Sequence, residues 1–343
     1  MASLQITFGD LRAEVQRYMG FGRSTNYDSL TTGQQGDVVA CIERGLRQFY
    51  APAPLPNESS AHEWSFLRGM GVVSTRAPYT VGTATNSAGA AVVAIIDGVM
   101  QTVYEGQIIT LAGETRRILD VAGQNLTVDA SIASANTTVA YEILSGTYDL
   151  PADFGGLRGS ISYRDGDGYM PLRLVNESAL AMMRSQESIR KDTPEYAAIV
   201  PKSTTDNSVD NDSTGEQQFV LSIWPYPDKV YDLVFSYTVA INNITDNPAS
   251  NADDNNIPAG GMFHSETILA SCLAVAEQMV DEFNNPGKMQ AKYQERLAGS
   301  ISFDRRQMLP DGFGYNADNS DRQTQLPSRR RLQTVSYRDS IYP

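Results

Sequence analysis

Apolar residues recur at helical spacing towards both ends of the chain. Thr7 and Asp10 form a capping-box pattern before the first of these stretches, because a threonine and an acidic residue at N3 can satisfy unpaired backbone N–H groups. The proline-rich run Ala51–Pro56 ends the second stretch, since proline cannot continue a helix. The spacing predicts helices over 8–20, 32–50, 62–67, 176–186, 263–284 and 287–299.

Between Val72 and Leu144 the pattern changes to short segments rich in Val, Ile and Thr, separated by Gly, Asn or Asp. Such spacing is typical of a small barrel or sandwich, and Asp97-Gly98 predicts a tight hairpin. We interpret residues 76–145 as an all-β domain inserted into a discontinuous helical body, residues 1–75 and 146–300. The predicted strands of the inserted domain are 79–84, 91–96, 99–103, 107–111, 115–121, 125–129 and 138–144.

The second part of the body also contains strand patterns, and the alternation is strongest over 230–240. Residues 301–343 show no periodic apolar face, so we predict an extended C-terminal arm that orders on a partner. The predicted fold class is α+β: a helical body with a small antiparallel sheet, an inserted all-β barrel or sandwich unit, and the extended arm. The predicted body strands are 157–163, 169–174, 196–200, 217–224 and 230–240.

Charge and composition disfavour several classes of function. The 343 residues include 27 Lys and Arg against 40 Asp and Glu, a net charge of −13. This balance disfavours a general nucleic-acid-binding protein and attachment to an anionic membrane, since both need a basic surface. No apolar run reaches the length of a membrane span. The N-terminus lacks the pattern of a signal peptide, so we expect a protein made and kept reduced in a cytoplasm.

The rare reactive residues offer little for catalysis or metal binding. Cys41 and Cys272 lie among apolar residues and are interpreted as buried free thiols. With two histidines in the chain, a histidine-rich metal site and a Ser-His-Asp triad are improbable. We expect His62 to pack beside Trp64, and His264 to be a helix cap or a surface residue.

Two acidic motifs allow a chemical interpretation and a simpler structural one. Asp165 and Asp167 could contact calcium, but the twelfth position counted from Asp165 is Asn176, which lacks the required carboxylate, so a plain turn is favoured. Asp253-Asp254 could be a glycosidase pair, but a solvated loop is favoured. The chain contains no phosphate-binding or dinucleotide glycine motif, and we predict no catalytic residues, no cofactor and no metal.

Several short motifs, in a fixed order, resemble the head-to-tail adaptor (connector) proteins of tailed bacteriophages. They span about 8–75 and 146–300, and the β unit at 76–145 departs from the plain adaptor pattern. The motifs are Phe8–Leu11, Trp64–Leu67, Tyr148–Phe154, Tyr163 with Pro171-Leu172, Thr193–Tyr196, Leu221–Pro227 and the closing helix pair.

The resemblance implies a non-enzymatic virion protein at the head–tail interface, assembled in the host cytoplasm. It implies a ring, usually of twelve copies, that lies beneath the portal, joins head to tail and continues the DNA channel. Double-stranded DNA would pass through without sequence-specific binding, and a tail or nozzle protein would bind below. Two alternatives stay open: another tail-completion or short-tail nozzle protein, and a virion-associated wall-degrading enzyme. A buried, perturbed carboxylate or histidine in a cleft would favour the enzyme.

The resemblance also implies a role for the arm, because the C-terminal segment in this family often reaches into portal clefts. Residues 301–343 contain seven basic and five acidic side chains, so this segment is net basic whereas the full chain is net acidic. The candidate portal-docking residues are Arg329, Arg330, Arg331, Leu332, Tyr337, Arg338, Ile341 and Tyr342.

Overall fold

The computed structural model divides the chain into two compact units. The helical unit contains the described residues of Met1–Phe66 and Asn243–Pro343, and the sheet unit is Leu67–Asn242. The predicted Asp165–Asp167 turn and the end of the helix predicted over 263–284, including Phe283, lie outside the described residues. The structure describes residues 4–22, 30–55, 60–164, 168–186, 189–202, 218–241, 244, 254–280 and 287–307.

Five α-helices lie in the described residues, and four of them build the helical unit. The third packs within the sheet unit. The helices are α1 (Phe8–Tyr18), α2 (Thr32–Tyr50), α3 (Glu177–Gln186), α4 (Ser265–Val280) and α5 (Lys288–Gln307).

The predicted capping box begins α1. Thr7 N donates to Asp10 Oδ2 at 3.1 Å, and Asp10 N donates to Thr7 Oγ1 at 3.2 Å. Asp254, which we predicted to lie in a solvated loop, contacts this helix. Its backbone oxygen accepts from Gly9 N, and its carboxylate pairs with the buried Arg12 guanidinium at 2.5 Å. Asp254 is therefore part of the packing, which corrects the prediction at that residue.

A close helix contact in this unit joins α2 to α4. A Cβ added to Gly45 would lie 2.6 Å from Cys272 Cα, so only glycine fits there without a shift. Ser271 Oγ donates to Gly45 O at 2.7 Å across the same contact. Cys41 and Cys272 are both buried free thiols, as predicted, and burial raises the pKa of Cys41 to about 11.

Helix α5 is longer than predicted. Its first turn is held by Glu277 of α4, whose Oε2 accepts from Met289 N at 2.8 Å. The helix continues to Gln307, so residues 301–307 are helical and lie within the segment that we predicted to be an arm. The reason is visible in the burial of Ile301, which continues the apolar series of Tyr293 and Leu297 at four-residue spacing.

Within the described ranges, fourteen strands form three sheets, and all of them lie in the sheet unit. The three-stranded sheet has the order β1-β14-β10, the four-stranded sheet β11-β12-β13-β9, and the seven-stranded sheet β7-β2-β3-β6-β5-β4-β8. The strands are β1 (Arg68–Ser74), β2 (Thr83–Asn86), β3 (Ala90–Ile96), β4 (Ile108–Leu111), β5 (Glu114–Ala122), β6 (Asn125–Ile132), β7 (Asn136–Val139), β8 (Tyr141–Leu144), β9 (Thr147–Asp149), β10 (Phe154–Tyr163), β11 (Arg173–Leu174), β12 (Tyr196–Pro201), β13 (Phe219–Trp224) and β14 (Asp232–Val239).

The seven-stranded sheet is a nearly closed barrel. A bridge between Tyr79 and Ile143 brings the segment before β2 to the last strand, β8. The predicted hairpin at Asp97-Gly98 and the strand over 99–103 are wrong, because β3 pairs with β2 and β6 and residues Thr102–Tyr104 form a 3-10 turn. The barrel core is apolar, formed by Ala84, Val93, Ile95, Tyr104, Ile109, Leu111, Ile118, Leu126, Val128, Ile132, Tyr141 and Ile143.

The two smaller sheets share a second core, which includes Phe154, Leu221, Leu233 and Phe235. The strand predicted over 169–174 is reduced to β11, which pairs parallel with β12, and Leu172 just before it donates its backbone N–H to Ile161 O of β10 at 2.9 Å. Helix α3 starts as predicted, with Asn176 Oδ1 accepting from Ala179 N at 2.7 Å. The α+β fold class is confirmed. The division into a body and an inserted domain stays a prediction.

Candidate assembly surfaces

All eight predicted docking residues, from Arg329 to Tyr342, lie outside the described residues. Their role stays a prediction. The nearest described part of the chain is the end of α5, and its surroundings are therefore the first candidate region.

The carboxylate of Asp304 fixes the end of α5. Asp304 is 1% exposed and accepts three hydrogen bonds. His62 Nε2 lies 2.8 Å from Oδ2, Ser65 N donates to Oδ2 at 3.0 Å, and Ser65 Oγ donates to Oδ1 at 2.5 Å. These three residues, the Asp304 cluster, join α5 to a segment 242 residues earlier in the chain. The position at which the chain leaves α5 is consequently set by buried contacts.

An aromatic cluster packs around the Asp304 cluster. Trp64 Nε1 donates to Phe49 O at 2.8 Å, and the Trp64 ring lies 4.6 Å from the Phe49 ring and 4.9 Å from His62. The prediction that His62 packs beside Trp64 agrees with this geometry. Burying these rings contributes several kcal/mol in apolar transfer, about 1.5–3 kcal/mol for each large side chain.

His264 belongs to the same cluster, which corrects the prediction of a surface position. It is 3% exposed, and its ring lies 5.1 Å from Trp64 and 5.4 Å from Phe66. Burial lowers the pKa of His264 below its ordinary value, against a smaller opposing effect of Asp304. Its Nδ1 is buried without a hydrogen-bond partner in the described part of the chain. The sequence could not show this, because Trp64 and His264 are brought together only by helix packing.

A serine, a histidine and an aspartate thus meet in this unit, but their connectivity is not that of a hydrolase. In a catalytic triad the histidine bonds to both the serine and the aspartate. Here His62 and Ser65 each bond to Asp304, so the serine hydroxyl donates to the carboxylate and not to the imidazole. The arrangement stabilises the fold and does not activate a nucleophile. Within the described ranges, no three His, Cys, Asp or Glu side chains are placed to hold a metal ion.

The surface beside the Asp304 cluster is apolar. Phe263 is 62% exposed and Met262 is 43% exposed, although both are large apolar side chains. The ring of Phe303, one residue before Asp304, packs against Phe263 in a tilted arrangement, with 4.4 Å between centroids and 32° between the ring planes. We call Met262, Phe263 and Phe303 the Phe263 patch. An exposed aromatic ring packed against a second, half-buried ring is typical of a contact surface.

The sheet unit has its own candidate surface at strand β1, an edge of the three-stranded sheet. Met70 and Val72 on its outer face are 76% and 59% exposed. Its inner face has glycines, since added Cβ atoms at Gly69 and Gly71 would lie within 3 Å of the rings of Tyr237 and Phe235. An edge strand with exposed apolar side chains is a site at which another chain can add.

The barrel is tied to the four-stranded sheet within the sheet unit. Gln107 Oε1 accepts from Gly146 N at 2.9 Å, and its Nε2 donates to Thr147 Oγ1 at 2.8 Å. Arg184 of α3 donates to the carbonyl oxygens of Gly146 and Ile223, at 3.0 and 2.8 Å. A side chain at Gly146 would meet Tyr226 and Arg184. The Gln107 hydrogen bonds to Gly146 and Thr147 join the barrel to the adjoining sheet, and Arg184 holds the same junction from α3.

Exposed apolar residues at a helix end and along a sheet edge are therefore the candidate contact surfaces among the described residues. Comparison with known protein families shows which family the chain belongs to. A family model described as SU10 adaptor protein matches residues 93–317, which is more than half of the chain. No curated protein matches the chain.

The chain therefore belongs to the SU10 adaptor protein family, and the resemblance to head-to-tail adaptors of tailed bacteriophages is confirmed. Membership of an adaptor family implies a structural role. The matched range begins within β3 and ends ten residues beyond α5, so it includes most of the barrel that we interpreted as an insertion. No helix in the described ranges is long and apolar enough to cross a membrane.

Proposed function

We propose that this adaptor forms a ring beneath the portal, joins the phage head to the tail and continues the DNA channel. The family match over residues 93–317 is the observation that carries the proposal. The ring contains twelve copies in the proposal, as the resemblance implies. It lies at the head–tail interface of the virion, after assembly in the host cytoplasm, and a tail or nozzle protein binds below it.

The net charge of −13 is compatible with a conduit for DNA. A like-charged lumen does not hold a duplex by its phosphates, so DNA passes without sequence-specific binding. The proposal assigns no catalytic step to the protein.

The portal-docking residues are Arg329, Arg330, Arg331, Leu332, Tyr337, Arg338, Ile341 and Tyr342. Their support is the basic character of the C-terminal segment within an acidic chain, together with the frequency with which Arg and Tyr carry binding energy. The buried end of α5 gives the segment a fixed starting point. A segment that orders on binding loses part of its contact energy, so many copies acting together would provide the affinity.

Co-sedimentation with purified portal rings tests the docking. Truncation after Gln307 keeps Asp304 and should leave the fold intact while it abolishes sedimentation with the portal. Replacing Arg329, Arg330 and Arg331 by Ala should weaken binding and reduce its salt dependence. A matched control replaces three exposed basic residues of the two units, Arg47, Arg164 and Lys202, and should bind normally.

Sedimentation of the truncated chain at wild-type stoichiometry would contradict portal docking by these residues. The ring itself is tested separately by imaging intact particles. Twelve copies around the channel below the portal are expected, and a location elsewhere in the tail would contradict the ring assignment.

A further inference from the structure

Two methionine sulfur atoms lie against the thiol of Cys41 in the helical unit. Cys41 Sγ lies 4.0 Å from Met19 Sδ and 3.1 Å from Met279 Sδ. Met19 caps the C-terminal end of α1, Cys41 lies in the middle of α2, and Met279 is the residue before the last of α4. The methionines are 22 and 238 positions from the cysteine in the chain, so the contacts form only when the three helices pack. We call these three residues the sulfur cluster.

The sulfur cluster is enclosed at the cysteine and accessible at the methionines. Cys41 is fully buried, whereas Met19 and Met279 are half-buried. Met279 also lines a cavity of about 590 Å³ between α2 and α4. The other lining residues are Arg44, Gln48, Val275 and Gln278. Arg44 is exposed, so the cavity reaches the surface and gives a small ion a route to Met279.

The donor atoms of the cluster are all soft. Thiolate and thioether sulfur select Cu(I), whereas Mg²⁺, Ca²⁺ and Mn²⁺ take oxygen ligands. Metal–thiolate bonds of about 2.3 Å place the sulfur ligands of a planar three-coordinate ion about 4.0 Å apart. The Cys41–Met19 separation already has this value. The Cys41–Met279 separation must open by about 1 Å, which the unbranched side chain of methionine permits.

Charge favours a monovalent ion at this position. Burial raises the pKa of Cys41 to about 11, so its thiol is protonated at neutral pH. When Cu(I) binds, the S–H bond breaks, an S–Cu bond forms, the proton leaves to water and the copper stays Cu(I). The thiolate and the ion are together neutral, which lowers the cost of burying them. Asp37 and Arg44 act on Cys41 in opposite directions, so they supply no net negative charge for a divalent ion.

We propose that the sulfur cluster is a Cu(I) site, with the Cys41 thiolate and the thioethers of Met19 and Met279 as its three ligands. A bound ion joins the ends of α1 and α4 to the middle of α2. This inference does not depend on the portal assignment, because all three ligands lie in the helical unit of one chain.

Competition for Cu(I) tests the site in the full-length protein. Titration of the wild-type chain into the Cu(I) complex of bicinchoninate, with ascorbate and without oxygen, should transfer about one Cu(I) per chain, as one cluster of three soft ligands requires. Cys41→Ser should abolish the transfer. Cys272→Ala should leave it unchanged, because the Cys272 thiol lies outside the cluster, with Sγ 3.8 Å from Ile42 O.

Two methionine variants distinguish the cluster from a thiol that binds alone. Met19→Leu and Met279→Leu each remove one thioether and nearly keep the side-chain volume, so the melting temperature without copper should stay close to that of the wild type. Each should lower the Cu(I) affinity by at least about tenfold, since even the loss of a residue that only supports a ligand costs that much. Met262→Leu, at an exposed methionine of the same unit, is the matched control and should bind as the wild type does.

Three results would each overturn the proposal. The first is a wild-type chain that takes no Cu(I) from the competitor. The second is transfer that persists in Cys41→Ser. The third is an affinity in Met19→Leu or Met279→Leu equal to that of Met262→Leu. If Cys41→Ser does not fold, the two methionine variants decide.

Discussion

The helical unit and the barrel hold distant parts of the chain together by different contacts. In the helical unit, buried polar side chains join segments that are far apart in sequence, as in the Arg12–Asp254 pair and the Asp304 cluster. In the barrel, the strands are joined by backbone ladders around an apolar core. A buried polar contact in the barrel, from Asn136 Nδ2 to Asn86 Oδ1 at 2.9 Å, joins β7 to β2, two strands that already pair through their backbones.

The difference follows from backbone chemistry. A strand uses its backbone hydrogen bonds to find its neighbour, so pairing and register are fixed together. A helix satisfies its backbone internally and has none left for its neighbours. Side-chain contacts must then decide which helix faces meet, and in this protein buried polar groups do part of that work. The helical unit should be sensitive to single polar substitutions, and the barrel to loss of apolar volume.

Removing Asp304 should have the largest effect. Asp304→Ala leaves His62 and both Ser65 donors without their acceptor, and breaking a buried pair in this way typically costs about 3–5 kcal/mol. Hydrogen exchange, followed separately for peptides of the two units, should show the loss in the helical unit alone. Asp120→Ala, at an exposed barrel position, is the matched control and should change neither unit. A loss in the helical unit no larger than the control would contradict the role of the Asp304 cluster.

Shortening a buried apolar side chain of the barrel should destabilise the barrel and leave the helical unit unchanged. Leu126 is fully buried, and Leu126→Ala should lower the free energy of unfolding of the barrel by about 2–5 kcal/mol through lost burial and a cavity. Hydrogen exchange of the helical unit should stay unchanged. Val92→Ala on the outer face of the adjacent strand is the control, and an equal loss there would contradict the assigned burial.

The sequence predicted those structural features that depend on residues close together in the chain. Thr7 and Asp10 fix the start of α1 by contacts only three residues apart, and the capping box was found from sequence. The same reasoning failed at Asp97-Gly98: Asp97 does adopt a left-handed φ of 60°, but the chain then runs to a 3-10 turn and no adjacent strand. A turn signal specifies the turn and not the partner of the next strand.

The candidate site was the part least accessible to sequence. His62 and Asp304 are 242 residues apart, and nothing around either residue indicates that they meet. One signal for the longer α5 was present, since Tyr293, Leu297 and Ile301 keep a four-residue spacing. Extending the helix by that rule would have placed Asp304 on α5, but not in contact with His62.

Helix contact in the helical unit can be tested at a single glycine. Gly45→Ala should destabilise the unit by about 1–3 kcal/mol, because the added Cβ would lie 2.6 Å from Cys272 Cα and the helices must separate. Gly36→Ala in the same helix is a matched control with no atom within 4 Å of the new Cβ. It should stabilise by about 0.5–1 kcal/mol, the helical preference of alanine over glycine. Urea unfolding of both variants measures the difference, and equal effects would contradict the close α2–α4 contact.

The smallest effect expected is on pH dependence, and it also separates the two units. Both histidines of the chain, His62 and His264, lie in the helical unit. Burial lowers the pKa of His264 below the ordinary 6.5, so on acidification the unfolded chain takes up a proton that the folded unit resists. Stability is therefore complete above about pH 6.5 and is lost as the pH falls towards the folded pKa, with a slope of at most about 1.4 kcal/mol per pH unit.

The measurement is urea unfolding between pH 7 and 5, followed by Trp64 fluorescence in a Trp224→Phe background. His264→Phe keeps a ring against Trp64 and Phe66 and should flatten this slope, whereas any contribution of His62 remains in both proteins. The sheet unit has no histidine and should show no corresponding loss in this range. An unchanged slope in His264→Phe would mean that His264 is protonated as readily in the folded unit as in the unfolded chain.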